Sequence, residues 1–154
     1  MKYLSNPFTT LDGYNCFGCS PDNPQGLRMQ FTDEGDHIVS TWQPEKNFQG
    51  WHNVLHGGIQ ATLMDEIASW VVFAKLGTTG VTSRMEIKLS KPMLMDKGPI
   101  KLVARLREMR RNIAVIDVEL MDGEGTRCAT GVFYYFTYRK GVVKERLLLP
   151  GIEK

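Results

Sequence analysis

GIQATLMDEIASWVVFAKL, residues 58–76, has no glycine or proline in its interior. Its apolar residues Ile59, Leu63, Ile67, Trp70, Val71 and Ala74 recur at helical spacing, and Gly77 supplies a C-terminal stop. The remaining faces carry Ala61, Met64, Ala68, Val72 and Phe73. A helix apolar nearly all round is one that other elements enclose, not one that lies on a surface.

The enclosing material flanks it. Downstream, Val81 to Leu89 alternates Val81, Ser83, Met85, Ile87 and Leu89 against Thr82, Arg84, Glu86 and Lys88, the pattern of a half-buried strand. Ile100 to Glu108, Ile113 to Leu120 and Thr126 to Tyr138 read as three more strands. The short turns at Met109 to Asn112 and Met121 to Gly125 make these an antiparallel meander. Upstream, Leu27 to Thr32 and His37 to Gln43 form a hairpin around Asp33-Glu34-Gly35-Asp36, and residues 44–55 read as a surface loop.

The order is ββαββββ. Its expected solution is an α+β fold in which one curved antiparallel sheet of about six strands wraps around one long central helix, because a lone sheet and a lone helix must bury their apolar faces on each other. Such a sheet has open edges, and pairing two copies is a common way to close them. One domain is expected over 1–154, with a polar lead-in (1–25) and an unassigned tail (139–154).

The chain has 154 residues, 42% hydrophobic and 23% charged, with a formal net charge of +2. These are ordinary values for a globular domain. Lysine and arginine form no basic block, so no nucleic-acid partner is expected. No apolar run resembles a signal peptide, and Asp65 and Glu66 interrupt the longest one, so neither export nor a membrane span is expected. Three cysteines, Cys16, Cys19 and Cys128, are a poor basis for a disulfide framework, and a cytoplasmic location fits them better. Cys16-Phe17-Gly18-Cys19 invites a zinc reading, but Cys128 and the histidines supply no second pair of ligands, so no metal and no cofactor is expected.

His56-Gly57-Gly58 stands where the chain enters the helix. The first amides of a helix lack internal partners and carry the positive end of its dipole, so this turn can hold an oxygen that becomes negative during a reaction. Asp65, among Ala61, Met64, Ala68 and Val72, is a carboxylate that is costly there without a purpose or a partner. It can activate water or attack a carbonyl itself. Eight positions of straight helix separate Gly57 from Asp65 by roughly 12 Å. No single carbonyl touches both, so joint action requires the amide of one chain and the acid of another. Thr82, at the start of the next strand and on its polar face, is placed to orient a water.

VLHGGIQATLMDE, residues 54–66, resembles the HGG motif of the hot-dog thioesterase superfamily, specifically its phenylacetate-pathway (PaaI-like) type, with the acid nine residues after the histidine. The resemblance runs from about Gly26 to Tyr138, and the lead-in CFGCSPDNPQGL is similar to a segment that precedes the first strand in one branch. It implies an acyl-CoA thioesterase acting as a homodimer or a dimer of dimers (homotetramer). In that reading Gly57 supplies the oxyanion amide, Asp65 is base or nucleophile, Thr82 assists, and His56 and Gly58 contact substrate. The family often places an asparagine six residues before the histidine. Here that position is Gly50, and Gln49 and Asn53 are the nearby candidates for the same role.

A thiol of pKa about 8.5 leaves as thiolate without a strong acid, which suits a site offering one carboxylate and no serine nucleophile motif. The alternatives are a non-catalytic acyl-CoA-binding or regulatory protein on the same scaffold and a metal-binding protein using Cys16 and Cys19. The aromatic run from Phe133 to Phe136 is assigned to the core.

Overall fold

The computed structural model describes residues 1–139; the expected tail lies, beyond Arg139, outside the described residues. The central helix α1 spans Gly57–Leu76. Its buried residues include Leu63, Met64, Ile67, Ala68, Trp70, Val71 and Val72, so the enclosure read from the sequence is the observed one. His56 caps the N-terminus and Gly77 the C-terminus, where the Gly77 amide donates to the Phe73 carbonyl.

Around the helix lies one antiparallel sheet of β1 (Lys2–Leu4), β2 (Phe31–Asp33), β3 (Ile38–Trp42), β4 (Gly80–Leu89), β5 (Ile100–Arg110), β6 (Ile113–Met121) and β7 (Arg127–Thr137). Their order across the sheet is β1-β2-β3-β5-β6-β7-β4. This is the hot-dog arrangement, with seven strands where about six are expected. The extra strand, β1, falls in the lead-in and is held by pairing with β2. Leu27 to Thr32 is mostly not strand, yet Leu27 and Met29 are buried, and the Leu27 carbonyl accepts from the Trp42 indole at 2.8 Å.

The meander sets the core in register. Leu102 faces Leu120, Ala104 faces Val118 and Leu106 faces Ile116 across β5 and β6. Alternate residues of the pleat point to one face, so Leu102, Ile116, Leu120 and Phe133 meet Leu63 and Ile67 of the helix in a single core. At the far end Trp70 stacks on Phe31 with ring centroids 4.7 Å apart, and Phe8 from the lead-in packs edge-on against Trp70. Burial of each such side chain contributes about 1.5–3 kcal/mol.

β4 departs from the alternation expected of it. A register shift between Thr82 and Arg84 leaves Ser83 as the extra residue, and a bulge of this kind reverses which face later residues occupy. Thr82 therefore stands opposite the buried Tyr135, on the helix side, while Met85, Ile87 and Leu89 take that same side after the bulge. β4 is an end strand and overhangs the helix, so Met85 and Leu89 are each 49% exposed. No helix among the described residues is long and apolar enough to cross a membrane.

Ile67, fully buried between helix and sheet, tests the enclosure. Ile67→Ala is expected to lower the unfolding free energy by about 2–5 kcal/mol, seen as a lower urea midpoint at unchanged slope. Thr41→Ala on exposed β3 surface is expected to move it by less than about 0.5 kcal/mol.

Candidate active site

Two groups of candidate residues lie along α1. The first is its N-terminus. His56 folds back so that its Nδ1 accepts from the Gly58 amide at 2.9 Å, while its carbonyl takes the amides of Ile59 and Gln60, each at 3.0 Å. Of the amides that open the helix, Gly57's is left without an acceptor among the described residues. The Gly58 amide expected to contact substrate is thus occupied by the histidine ring. A recess of about 420 Å³ lies in front of Gly57, lined by Gly50, Trp51, Val54, Leu55 and His56. A Cβ at Gly57 would stand 3.3 Å from the Leu89 side chain, so the end of β4 adjoins this amide.

Gln49 and Asn53 shape the approach loop. The Gln49 Oε1 accepts from the Asn53 amide at 3.0 Å, and Asn53 adopts the left-handed backbone, φ 58°. The Asn53 carbonyl in turn accepts from the Met95 amide at 3.0 Å. The side-chain amide of Asn53 and the Nε2 of Gln49 make no hydrogen bond among the described residues.

The second is centred on Asp65, half-buried in the middle of α1. Its Oδ1 accepts from the Thr82 hydroxyl at 2.7 Å. The Tyr135 hydroxyl also reaches Oδ1 and lies 2.7 Å from the Asp65 carbonyl, sharing its one proton between them. Asp65 Oδ2 makes no hydrogen bond among the described residues. Thr82 therefore holds the acid itself, where the sequence placed it to orient water. Burial first, and then the charge of Asp65, hold the Tyr135 hydroxyl above the ordinary tyrosine range, so it remains a donor.

Tyr135 is 2% exposed, and the sequence reading left it among core aromatics. The available signal was its parity: Phe133 and Tyr135 point inward together, and a buried phenol requires an acceptor. Glu66 turns away from Asp65 and meets Cys16, whose thiol lies 3.5 Å from Oε1. Burial first, and the Cys16 sulfur second, push its carboxyl up to about 7.

The thioesterase superfamily model matches residues 52–129, from the approach loop through α1 and β4 into the start of β7. The chain belongs to the thioesterase superfamily. A Saccharolobus solfataricus protein named as an esterase is 29% identical over 89 residues, 56% of this chain and 57% of its own length. The chain thus spans little more than half of that curated relative. A hypothetical thioesterase of Streptococcus pneumoniae, solved with coenzyme A, is 26% identical over 71% of this chain and 85% of its own, with a TM-score of 0.65. Variants of it with an aspartate or a threonine replaced by alanine are also similar. A Streptococcus mutans protein bound to acetyl-CoA shares the fold at 21% identity, 84% and 96% coverage and a TM-score of 0.67.

Tyr135→Phe keeps the ring and removes one donor to Asp65. It is expected to cost about 1.5–3 kcal/mol, the range for hydrogen bonds to charged groups. In a double-mutant cycle with Asp65→Asn, measured by urea unfolding, the two costs are expected to fall short of additivity.

Proposed function

We propose that this chain hydrolyses acyl thioesters of the acyl-CoA class, as a homodimer or a dimer of dimers, through Asp65 of one subunit and the Gly57 amide of another. One observation carries the reading: two hydroxyls anchor Oδ1 of Asp65 and leave Oδ2 unengaged. A carboxylate so held has fixed aim and a free lone pair, the requirement for a base or a nucleophile.

The substrate carbonyl oxygen accepts from the Gly57 N–H, which stabilises the negative charge that develops on it. Asp65 Oδ2 removes a proton from water as the water oxygen bonds to the carbonyl carbon. Alternatively, Oδ2 bonds to that carbon itself and water then cleaves the acyl-aspartyl anhydride. In either route the C–S bond breaks, its electron pair departs on sulfur, and a carboxylic acid remains. The leaving thiol, of pKa about 8.5, makes a strong general acid unnecessary. Thr82 and Tyr135 position the acid. The coenzyme A and acetyl-CoA held by similar proteins support this substrate class.

Two features support the shared site. Gly57 and Asp65 stand eight residues apart on one helix, roughly 12 Å, too far for one carbonyl. β4 is a ten-residue end strand whose outer edge pairs with no strand among the described residues and which exposes Met85 and Leu89, a surface that pairing covers. If two copies of β4 pair antiparallel about Glu86, with Ser83 again the bulged residue, Thr82 of each falls opposite Leu89 of the other on the helix side. Thr82 touches Asp65 and Leu89 adjoins Gly57, so that register brings each acid to the other subunit's amide.

A panel of acyl-CoA thioesters with thiol detection tests the activity. Asp65→Asn is expected to lower kcat by at least about a hundredfold with the oligomer intact; unchanged thiol release would overturn the mechanism, and tight binding without thiol release by the wild type would favour a binding protein. Gly57→Pro removes one amide hydrogen at the first helical position, where proline is well tolerated. It is expected to be inactive alone. Refolded together in equal amounts, Gly57→Pro and Asp65→Asn are expected to recover roughly a quarter of the wild-type rate, because half the dimers are mixed and each holds one intact site. No recovery would place both groups of each site in one chain.

A further inference from the structure

We propose that Cys16, Cys19 and Glu66 form a site for one zinc-class divalent cation, which ties the lead-in to α1 one residue from Asp65. The two sulfurs and a Glu66 oxygen all lie within 4.8 Å of one another. Two ligands of a tetrahedral zinc, a thiolate at about 2.3 Å and a carboxylate oxygen at about 2.1 Å, are about 3.6 Å apart. Cys16 Sγ and Glu66 Oε1 are 3.5 Å apart. The sequence offered only a C-x-x-C pair, and folding adds the third ligand from an element fifty positions away.

The loop is shaped to bring the sulfurs onto the carboxyl. The Ser20 amide donates to the Cys16 carbonyl at 3.1 Å, which closes the turn. A Cβ at Gly18 would stand 2.4 Å from the Glu66 carboxyl carbon, so only glycine permits this approach. Cys19 has the polar partners that typically surround a metal-bound sulfur: its Sγ is 2.9 Å from the Tyr14 hydroxyl and 3.7 Å from Asn6 Nδ2. All three cysteines are free, so no disulfide competes in this structure.

Without a cation, the half-buried Glu66 carboxyl has a weak thiol as its hydrogen-bond partner, an arrangement that partial burial penalises. Thiolate and carboxylate ligands together select a borderline-soft ion such as zinc over magnesium or calcium. The three ligand residues line a cavity of about 290 Å³ shared with Phe8, Trp70 and Thr79.

The probe is Co²⁺ added to the full chain after chelation and reduction with a phosphine. One Co²⁺ per chain is expected, with the intense ultraviolet band of thiolate-to-cobalt charge transfer, displaced by Zn²⁺. Cys16→Ser and Cys19→Ser are each expected to diminish that band and to weaken binding by at least about tenfold. Glu66→Gln, near-isosteric and checked for fold by circular dichroism, is expected to weaken binding as much while keeping the band at saturating Co²⁺. Asp65→Asn is expected to bind like the wild type, so this site stands or falls apart from the hydrolytic one. Absence of the band in reduced protein, or Co²⁺ affinity unchanged in Glu66→Gln, would overturn the proposal.

Discussion

A helix apolar on nearly every face has one stable place, the inside of a curved sheet, and this constraint governs where α1 can carry polar groups. Three such groups are met by adjoining segments. Gln60 donates to the Leu55 carbonyl, Asp65 receives hydroxyls from β4 and β7, and Glu66 meets the lead-in. A polar group enclosed without a partner would cost more than its own hydrogen bond returns. The chemistry therefore gathers at two kinds of position: the helix N-terminus, where amides have no internal acceptor, and the strip where the sheet's last strand overhangs the helix.

The helix, its two ends and the later strands were legible because their signals are local: spacing of apolar residues, a glycine stop, short turns. β1 was not, since three residues in a polar lead-in carry no period and owe their conformation to β2. The direction of Thr82 was misread for a related reason. Alternation along 81–89 places it with Arg84 and Glu86, but the bulge at Ser83 changes parity, and Thr82 turns toward the helix. A one-residue irregularity has no signature in composition and reverses every side chain beyond it.

At the candidate site, position was readable and partnership was not. His56, Gly57 and Asp65 were singled out from where they stand on the helix. That His56 occupies the Gly58 amide follows from a ring rotamer, and that Tyr135 reaches Asp65 follows from pairing across β4 and β7. Glu66 shows the same limit. Its neighbours at 65 and 67 are local, whereas Cys16 reaches it only because the lead-in packs across α1 through Phe8, Trp70 and Phe73.

The two adjacent acids also show how partner choice sets chemical role. Successive residues of an α-helix point about 100° apart, so Asp65 and Glu66 cannot share an environment. Asp65 is held by neutral hydroxyls, which fix its geometry without an opposite charge and leave one oxygen open to a substrate. A lysine or arginine in their place would orient it as well and would compete directly for that negative charge. Glu66, half-buried, faces sulfur, a poor donor for a carboxylate and a good co-ligand for a metal. In the proposed reading the same functional group, one residue along, reacts in one direction and coordinates in the other.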